Sequence, residues 1–213
     1  MEPVAIIGDV HGCIDELEHL LDQLDGRPVV FVGDLINKGP DSLAVLERVL
    51  SLQARAVIGN HELGFLSYLK SKRHHVDFEE VERQLGIHCA NWARWIQALP
   101  TFIETPDWLV VHAGLVPGQH PAESDPRVLT RIRTWDGTGK RLNNPADPPW
   151  FDLYDGQKLV VFGHWAVRGL VMEDRVIGLD TGCVYGGQLT AVLLPERRLV
   201  QVAAKRAYCP ISS

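Results

Sequence analysis

No apolar run in this sequence approaches the ~20 residues needed to span a membrane, so no membrane partner is expected. The opening MEPVAIIGD lacks a charged n-region, an apolar h-region and a cleavage site, and runs directly into a strand-like stretch. A secretory signal is therefore not expected, and the cytoplasm is the default compartment. Cysteine is sparse: Cys13, Cys89, Cys183 and Cys209 are scattered without close pairing. That argues for reduced thiols and against a disulfide framework or a thiolate zinc site. A basic excess is missing too. The net charge of −6 offers no general attraction for nucleic acid or acidic membranes, so no stable nucleic-acid binding is expected. An anionic substrate would have to be held by local groups against the global field. Solenoid repeats and low-complexity tracts are also lacking.

What is present is the composition of an ordinary soluble globular protein, 46% hydrophobic and 23% charged. The 213 residues suit one domain with a real core, over 1–213. The first sixty residues repeat one pattern. PVAIIGDVHG is an apolar run ending in Gly-Asp, followed by a helical stretch with Leu17, Leu20, Leu21 and Leu24 on one face. RPVVFVGDLINKGP ends its apolar run the same way. It leads into DSLAVLERVLSL, where Leu43, Leu46, Val49 and Leu50 form the apolar face behind Asp41 or Ser42 as cap. ARAVIGNHE is a third run, leading into LGFLSYLKS. Strand and helix alternating three times predict an α/β protein with parallel pairing.

Residues 71 to 100 hold two charged or amphipathic helical stretches with no strand between them, and read as a helical insertion. Strands are expected at TFIE, DWLVVHAGL, KLVVFGHW, RVIGLD, QLTAVLL and RLVQVAAK, the last pair forming a hairpin across PERR. Residues 117 to 150, rich in Pro, Gly, Asp and Asn, read as a long loop with a short ordered piece at RVLTRIRTW.

Asp9, Asp34 and Asn60 are spaced by 25 and 26 residues, about the length of a βαβ crossover. They should lie side by side at the carboxyl ends of adjacent strands, where open α/β sheets place ligands. His11 and His61 fall at the same edge, and His112 and His164 each end a later apolar strand beside glycine. Taken alone, Gly-Asp after a strand is a turn or a helix cap, and a lone histidine is a structural residue. The joint pattern is what points to chemistry. Two acids and an asparagine crowded together call for a cation between them. The expected set is Asp9 and His11 on one metal, Asn60, His112 and His164 on the other, and Asp34 bridging. Imidazole, carboxylate and amide donors without thiolate suit manganese, iron, zinc, cobalt or nickel better than calcium. Two such ions can clamp an in-line displacement at phosphorus. His61 is the imidazole left over, placed to act as general acid. Lys38 and the pair Arg131 and Arg133, on one side of a segment expected to be extended, are the candidate phosphate contacts.

The other histidines, His19, His74, His75, His88 and His120, read as surface or loop residues, with His74 and His75 reaching the site only if the insertion folds over it. Trp92 and Trp95 read as packing residues. Trp165 could stack on a nucleobase or pack behind the metals.

The order GDVHG, GDLINKGPDS, GNHE, VVHAG, FGHW resembles the phosphoprotein-phosphatase branch of the calcineurin-like metallophosphoesterases. TRIR, PPWF, FGHWA and LDTGCVYGGQLTAVLL extend the likeness over nearly the whole chain, toward the symmetrical diadenosine-tetraphosphate hydrolases (ApaH) and the ApaH-like phosphatases. The resemblance implies two mixed β-sheets packed face to face and flanked by helices, with two divalent ions, manganese foremost. It implies ligand roles for Asp9, His11, Asp34, Asn60, His112 and His164 and the acid role for His61. It also implies a nucleotide hydrolase that splits diadenosine tetraphosphate into two ADP, with a protein serine/threonine phosphatase as the alternative and capped RNA or a phosphoprotein as further substrates. One departure stands out. Protein phosphatases of the branch carry Asp-Arg-Gly where this chain has Asn37, Lys38 and Gly39. The group expected to orient His61 is thus an amide, able to accept a hydrogen bond but weaker than a carboxylate in stabilising an imidazolium.

Overall fold

A computed structural model describes residues 1–210. Two five-stranded mixed sheets form the centre. In the first, β1 (Val4–Ile7), β2 (Val29–Phe31) and β3 (Arg55–Ala56) run parallel, and the hairpin β9 (Gln188–Leu194) and β10 (Arg198–Ala203) adds antiparallel to β1. In the second, β5 (Trp108–Val111), β6 (Leu159–Phe162) and β8 (Val176–Gly178) are parallel. Antiparallel β4 (Phe102–Glu104) and β7 (Val171–Met172) close its edges. β7 is a strand that periodicity did not predict: at two residues it is too short to show one.

Strand alternation assigns each side chain to a layer. Val4 and Ile6 of β1 face the second sheet and pack with Val30, Val110, Val161 and Ile177; Ala5 and Ile7 face the helices. Burying each such branched side chain contributes about 1.5–3 kcal/mol, which is what holds the sheets face to face. The helical layer comprises α1 (Ile14–Leu21), α2 (Ser42–Ser51), α3 (Asn60–Ser71), α4 (Val76–Leu85) and α5 (Cys89–Gln97). Asp41, not Ser42, caps α2, its Oδ1 accepting from Ala44 N at 2.9 Å. Ser42 is buried and Leu50 is 54% exposed, so the apolar face of α2 is Val45, Leu46 and Val49, one position round from the expected stripe. The outer face of the second sheet is covered by the 115–154 segment, which holds the four-residue α6 (Pro126–Leu129) and a core around Trp150. Among the described residues no helix is long and apolar enough to cross a membrane.

Candidate metal centre

The parallel strands β1, β2, β5 and β6 all end at one edge, and the residues that follow them converge there. Five of the side chains involved stand on strained backbone. His11, Asp34, Asn37, Lys38 and His164 all have φ between 48° and 78°, five of the nine non-glycine residues with positive φ among those described. Such conformations cost on the order of 1–2 kcal/mol each, and persist where the surroundings over-determine them. Two glycines let the loops come close enough. A Cβ at Gly59 would lie 2.2 Å from Asp34 Oδ1, and one at Gly163 would lie 1.9 Å from Asp9 Oδ1.

Asp34 is the focus. Its Oδ2 lies 3.4 Å from His112 Nε2, 3.6 Å from His11 Nε2 and 4.0 Å from His61 Nε2, and its Oδ1 accepts from His61 N at 2.9 Å. His11 Nδ1 donates to the Ile36 carbonyl at 3.1 Å, and His112 Nδ1 to that of Val32 at 2.8 Å. Both bonds hold a proton on Nδ1 and turn Nε2 inward, the nitrogen that a metal would take in place of any proton there. Asn60 opens α3, and its Oδ1 sits 3.0 Å from His112 Nε2 and 2.8 Å from His164 Nδ1. Asp9 accepts from His164 N through both oxygens, at 3.2 and 3.1 Å. At this edge the donor atoms close enough to share an ion form two groups, His11–Asp34–His61 and Asp34–His112–His164, with Asp34 in both. His61 stands in the first group in the place expected for Asp9, whose oxygens are turned to the His164 amide.

The charges call for a cation. Burial and the neighbouring Asp180 and Asp34 push the Asp9 carboxyl well above its usual range, and burial lifts Asp180 to about 6. At Asp34 burial also opposes ionisation, but the charge and hydrogen bond of His112 outweigh it and hold the carboxyl well below the usual range. His112 is likewise driven up, to about 10, by Asp34 and Asp9 against the cost of burial. Three buried carboxylates, Asp9, Asp34 and Asp180, with the imidazoles of His11, His61, His112 and His164 converging on them, are a donor set that fits divalent ions.

Around His61 the structure differs from the sequence expectation. Asn37 Oδ1 already accepts from Lys38 N at 2.9 Å, so it is Asn37 Nδ2 that faces His61 Nδ1, at 2.7 Å. The amide donates; it does not accept. The His61 proton therefore resides on Nε2, toward Asp34, and burial holds the ring down to about 3, neutral across the ordinary pH range.

The candidate phosphate contacts separate. Lys38 is partly buried, donates to Tyr185 Oη and lies 5.0 Å from the Tyr185 ring centre. Burial opposes its charge, but Tyr185 and Asp34 keep it protonated. The 130–133 stretch is not extended. It continues the turn of α6, with Arg131 N and Ile132 N bonded back to the Val128 carbonyl and Ile132 buried between the two arginines. Arg133 reaches the centre: its Nη2 donates to the His164 carbonyl at 3.5 Å, and its buried Nε has no partner. Arg131 is exposed and points into a neighbouring cleft.

Three contributors escaped the sequence reading. Glu62 is buried, and its two oxygens accept from the amides of Asp34, Gly59, Leu35 and Ile36, which pins the Asp34 loop. Its position three residues after Gly59, in capping-box register, was the available clue. Asp180 ends VIGLD, an apolar run closing in an acid like the first two. Tyr185 lies in a loop without any pattern to mark it. Folding also unites Cys13, Cys183 and Glu16, whose donor atoms lie within 4.8 Å, a proximity invisible in the spacing. Trp165 packs near Phe151, with Arg168 over its ring. Trp92 and Trp95 pack edge to face on α5.

Imidazole clusters sharing one carboxylate, at the converging edges of two stacked mixed sheets, define a metal-dependent hydrolase. The chain belongs to the calcineurin-like phosphoesterase family, whose profile matches residues 2–200. It is 35% identical to a symmetrical bis(5'-nucleosyl)-tetraphosphatase of Ralstonia nicotianae, over 99% of this chain and 97% of that one. It is also 30% identical to an asymmetrical bis(5'-nucleosyl)-tetraphosphatase of Oceanobacillus iheyensis, over 96% and 94%. Among solved structures it resembles "a putative diadenosine tetraphosphatase", with a TM-score of 0.85 at 32% identity over 95% of this chain and 93% of that one. A serine/threonine phosphatase of Saccharomyces cerevisiae, 16% identical with a TM-score of 0.59, shares the fold alone.

Proposed function

We propose that this protein hydrolyses nucleoside polyphosphates with two divalent ions, manganese foremost, splitting dinucleoside tetraphosphates symmetrically into two nucleoside diphosphates in the cytoplasm. Asp9 and His11 would hold one ion, Asn60, His112 and His164 the other, with Asp34 shared. When bound, the ions supply the charge that activates water and neutralises the phosphoryl oxygens. Lys38 and the unpartnered Nε of Arg133 then provide directed positive charge for those oxygens.

The observation that carries the substrate class is the Asn37–His61 bond. A phosphoserine leaves as an alkoxide, which needs a strong proton donor. A nucleoside diphosphate leaves as a phosphate with a pKa of about 6, and needs far less help. With the amide donating to its Nδ1, His61 is a neutral Nε2–H donor. It can hydrogen-bond a leaving phosphate oxygen but is poorly equipped to protonate an alkoxide. This supports the anhydride reading over the protein-phosphatase one, as do the names of the relatives.

Product analysis tests it. The manganese-loaded protein is offered diadenosine tetraphosphate, a cap analogue and a phosphopeptide. ADP as sole product of the dinucleotide is expected. ATP with AMP would contradict symmetric cleavage, and phosphate released fastest from the peptide would favour the alternative.

A further inference from the structure

Beside the metal centre lies an open cleft of about 920 Å³, framed by α3, the start of α4 and the beginning of α6. Its volume is that of a site for a sizeable ligand. Its charge is opposite to the molecule's. In a chain of net charge −6, Lys70, Arg73, Arg127 and Arg131 all line it, and none has an ion-pair partner among the described residues. The one carboxylate in its lining, Asp125, is occupied in capping α6 through Arg127 N at 2.8 Å. Four unpaired cations around one concavity, three of them guanidiniums, are the chemistry of phosphate recognition.

The cleft also carries an aromatic wall that leads to the catalytic imidazole. Phe78 of α4 stacks on His75 with ring centres 4.2 Å apart, and its ring lies 6.5 Å from that of His61. Gly64 of α3 makes this approach available, since a Cβ there would meet Phe78 Cζ at 2.6 Å. Of the imidazoles of the centre it is thus His61, the proposed proton donor to the leaving group, that lies next to this side of the cleft, with the Phe78 ring between them.

We propose that this cleft is the seat of the leaving nucleotide. Arg73, Arg127, Arg131 and Lys70 bind the phosphates distal to the scissile bond, and the exposed His75 ring, backed by buried Phe78, receives the base or ribose. The inference rests on the site being a nucleotide hydrolase, and it assigns to α3, α4 and α6 a role in selecting polyanionic leaving groups. A base stacked on such a wall would gain affinity with little sequence preference among nucleotides. A phosphopeptide or an RNA chain seated in the same cleft is the outcome the test distinguishes.

The double variant Arg73→Gln/Arg127→Gln removes two exposed cations whose side chains hold no other part of the fold. Steady-state rates are measured on diadenosine tetraphosphate and on p-nitrophenyl phosphate, which has no distal phosphates. The ratio of kcat/KM for the dinucleotide to that for the small ester is expected to fall at least fivefold, mainly through KM; a smaller fall overturns the proposal. Binding of ADP to the manganese-loaded protein is followed in parallel by calorimetry. It should weaken at least fivefold in the variant and lose part of its salt dependence; equal binding by both proteins overturns the proposal too. Should the parent protein leave the dinucleotide intact, the functional reading fails, and the ADP comparison still decides the cleft. A phosphopeptide or capped RNA losing more affinity than ADP in the variant assigns the cleft to that ligand instead.

Discussion

Around Asp34 the polar side chains are largely buried, bonded to one another and in part carried on left-handed backbone, whereas across Phe78 the cations of the cleft are exposed and unpaired, on α3, on α6 and on the loop and turn that follow them. The first region has its interactions in place before substrate arrives, at a cost in strain and burial that the packed sheets offset. That is how transition-state charge is met without reorganisation. The second region keeps its cations in water, where they cost little to maintain and are free to bind phosphate. Substitutions in the centre should therefore act on metals, stability and kcat, and those in the cleft on KM and substrate choice.

The largest effect is expected for Asp34→Asn. Asp34 is the residue common to both donor groups, so an amide there should weaken both ions and lower kcat by about 10³-fold or more. Metal analysis and rate are read together; loss of one ion alone would show that the carboxylate does not bridge. Glu62→Gln comes next. It touches no proposed ligand atom but accepts from four buried amides, and an NH₂ in place of one oxygen leaves two of those donors unmatched. A stability loss of about 2–5 kcal/mol in the metal-free protein is expected, with metal affinity down about 10–100-fold. Chemical denaturation and calorimetry check both, and an unchanged denaturation midpoint would rule out the pinning role.

Much of the centre was legible in the sequence because its chemistry is tied to strand ends. Asp9, Asp34, Asn60, His112 and His164 each follow an apolar run, and strand pairing brings such ends to one edge. Asp180 carried the same mark on β8 but lacked a partner motif. The direction of the Asn37 amide was not readable, because it depends on the Lys38 amide taking up Oδ1 in a left-handed turn. Nor was the parting of Arg131 from Arg133. An extended segment would have put both on one face, and the turn that follows α6 sends one to the centre and the other to the cleft. The cleft itself left no mark, since its cations come from three separate elements at no fixed spacing.

A smaller effect is expected at the boundary between the regions. In Gly64→Ala the new methyl displaces the Phe78 ring, while the helix gains from losing a glycine. Thermal stability should change little. The dinucleotide KM should rise by an amount worth about 1 kcal/mol, roughly fivefold, from the disturbed packing. Metal affinity is expected to hold. A variant that loses metal without losing dinucleotide affinity would mean that α4 braces the centre and does not shape the cleft.

The smallest and most discriminating change is Asn37→Asp. A carboxylate cannot donate to His61 Nδ1, so the proton must move there, and the ring then gains from an adjacent negative charge. Its pKa rises from about 3 toward neutrality. The sign of the pH effect follows: the imidazolium is present below the raised pKa and is lost as pH increases through it. Hydrolysis of an alkyl phosphomonoester, which needs that proton, should speed up by about threefold at the acidic end and decline as pH rises. Hydrolysis of the dinucleotide, whose leaving phosphate needs little protonation, should stay nearly level across the same range. The measurement is the pair of pH–rate profiles. Parallel profiles for the two substrates would mean that the leaving group does not feel His61, and the link drawn from Asn37 to nucleotide substrates would be lost, while the cleft would still separate polyanionic leaving groups from small ones.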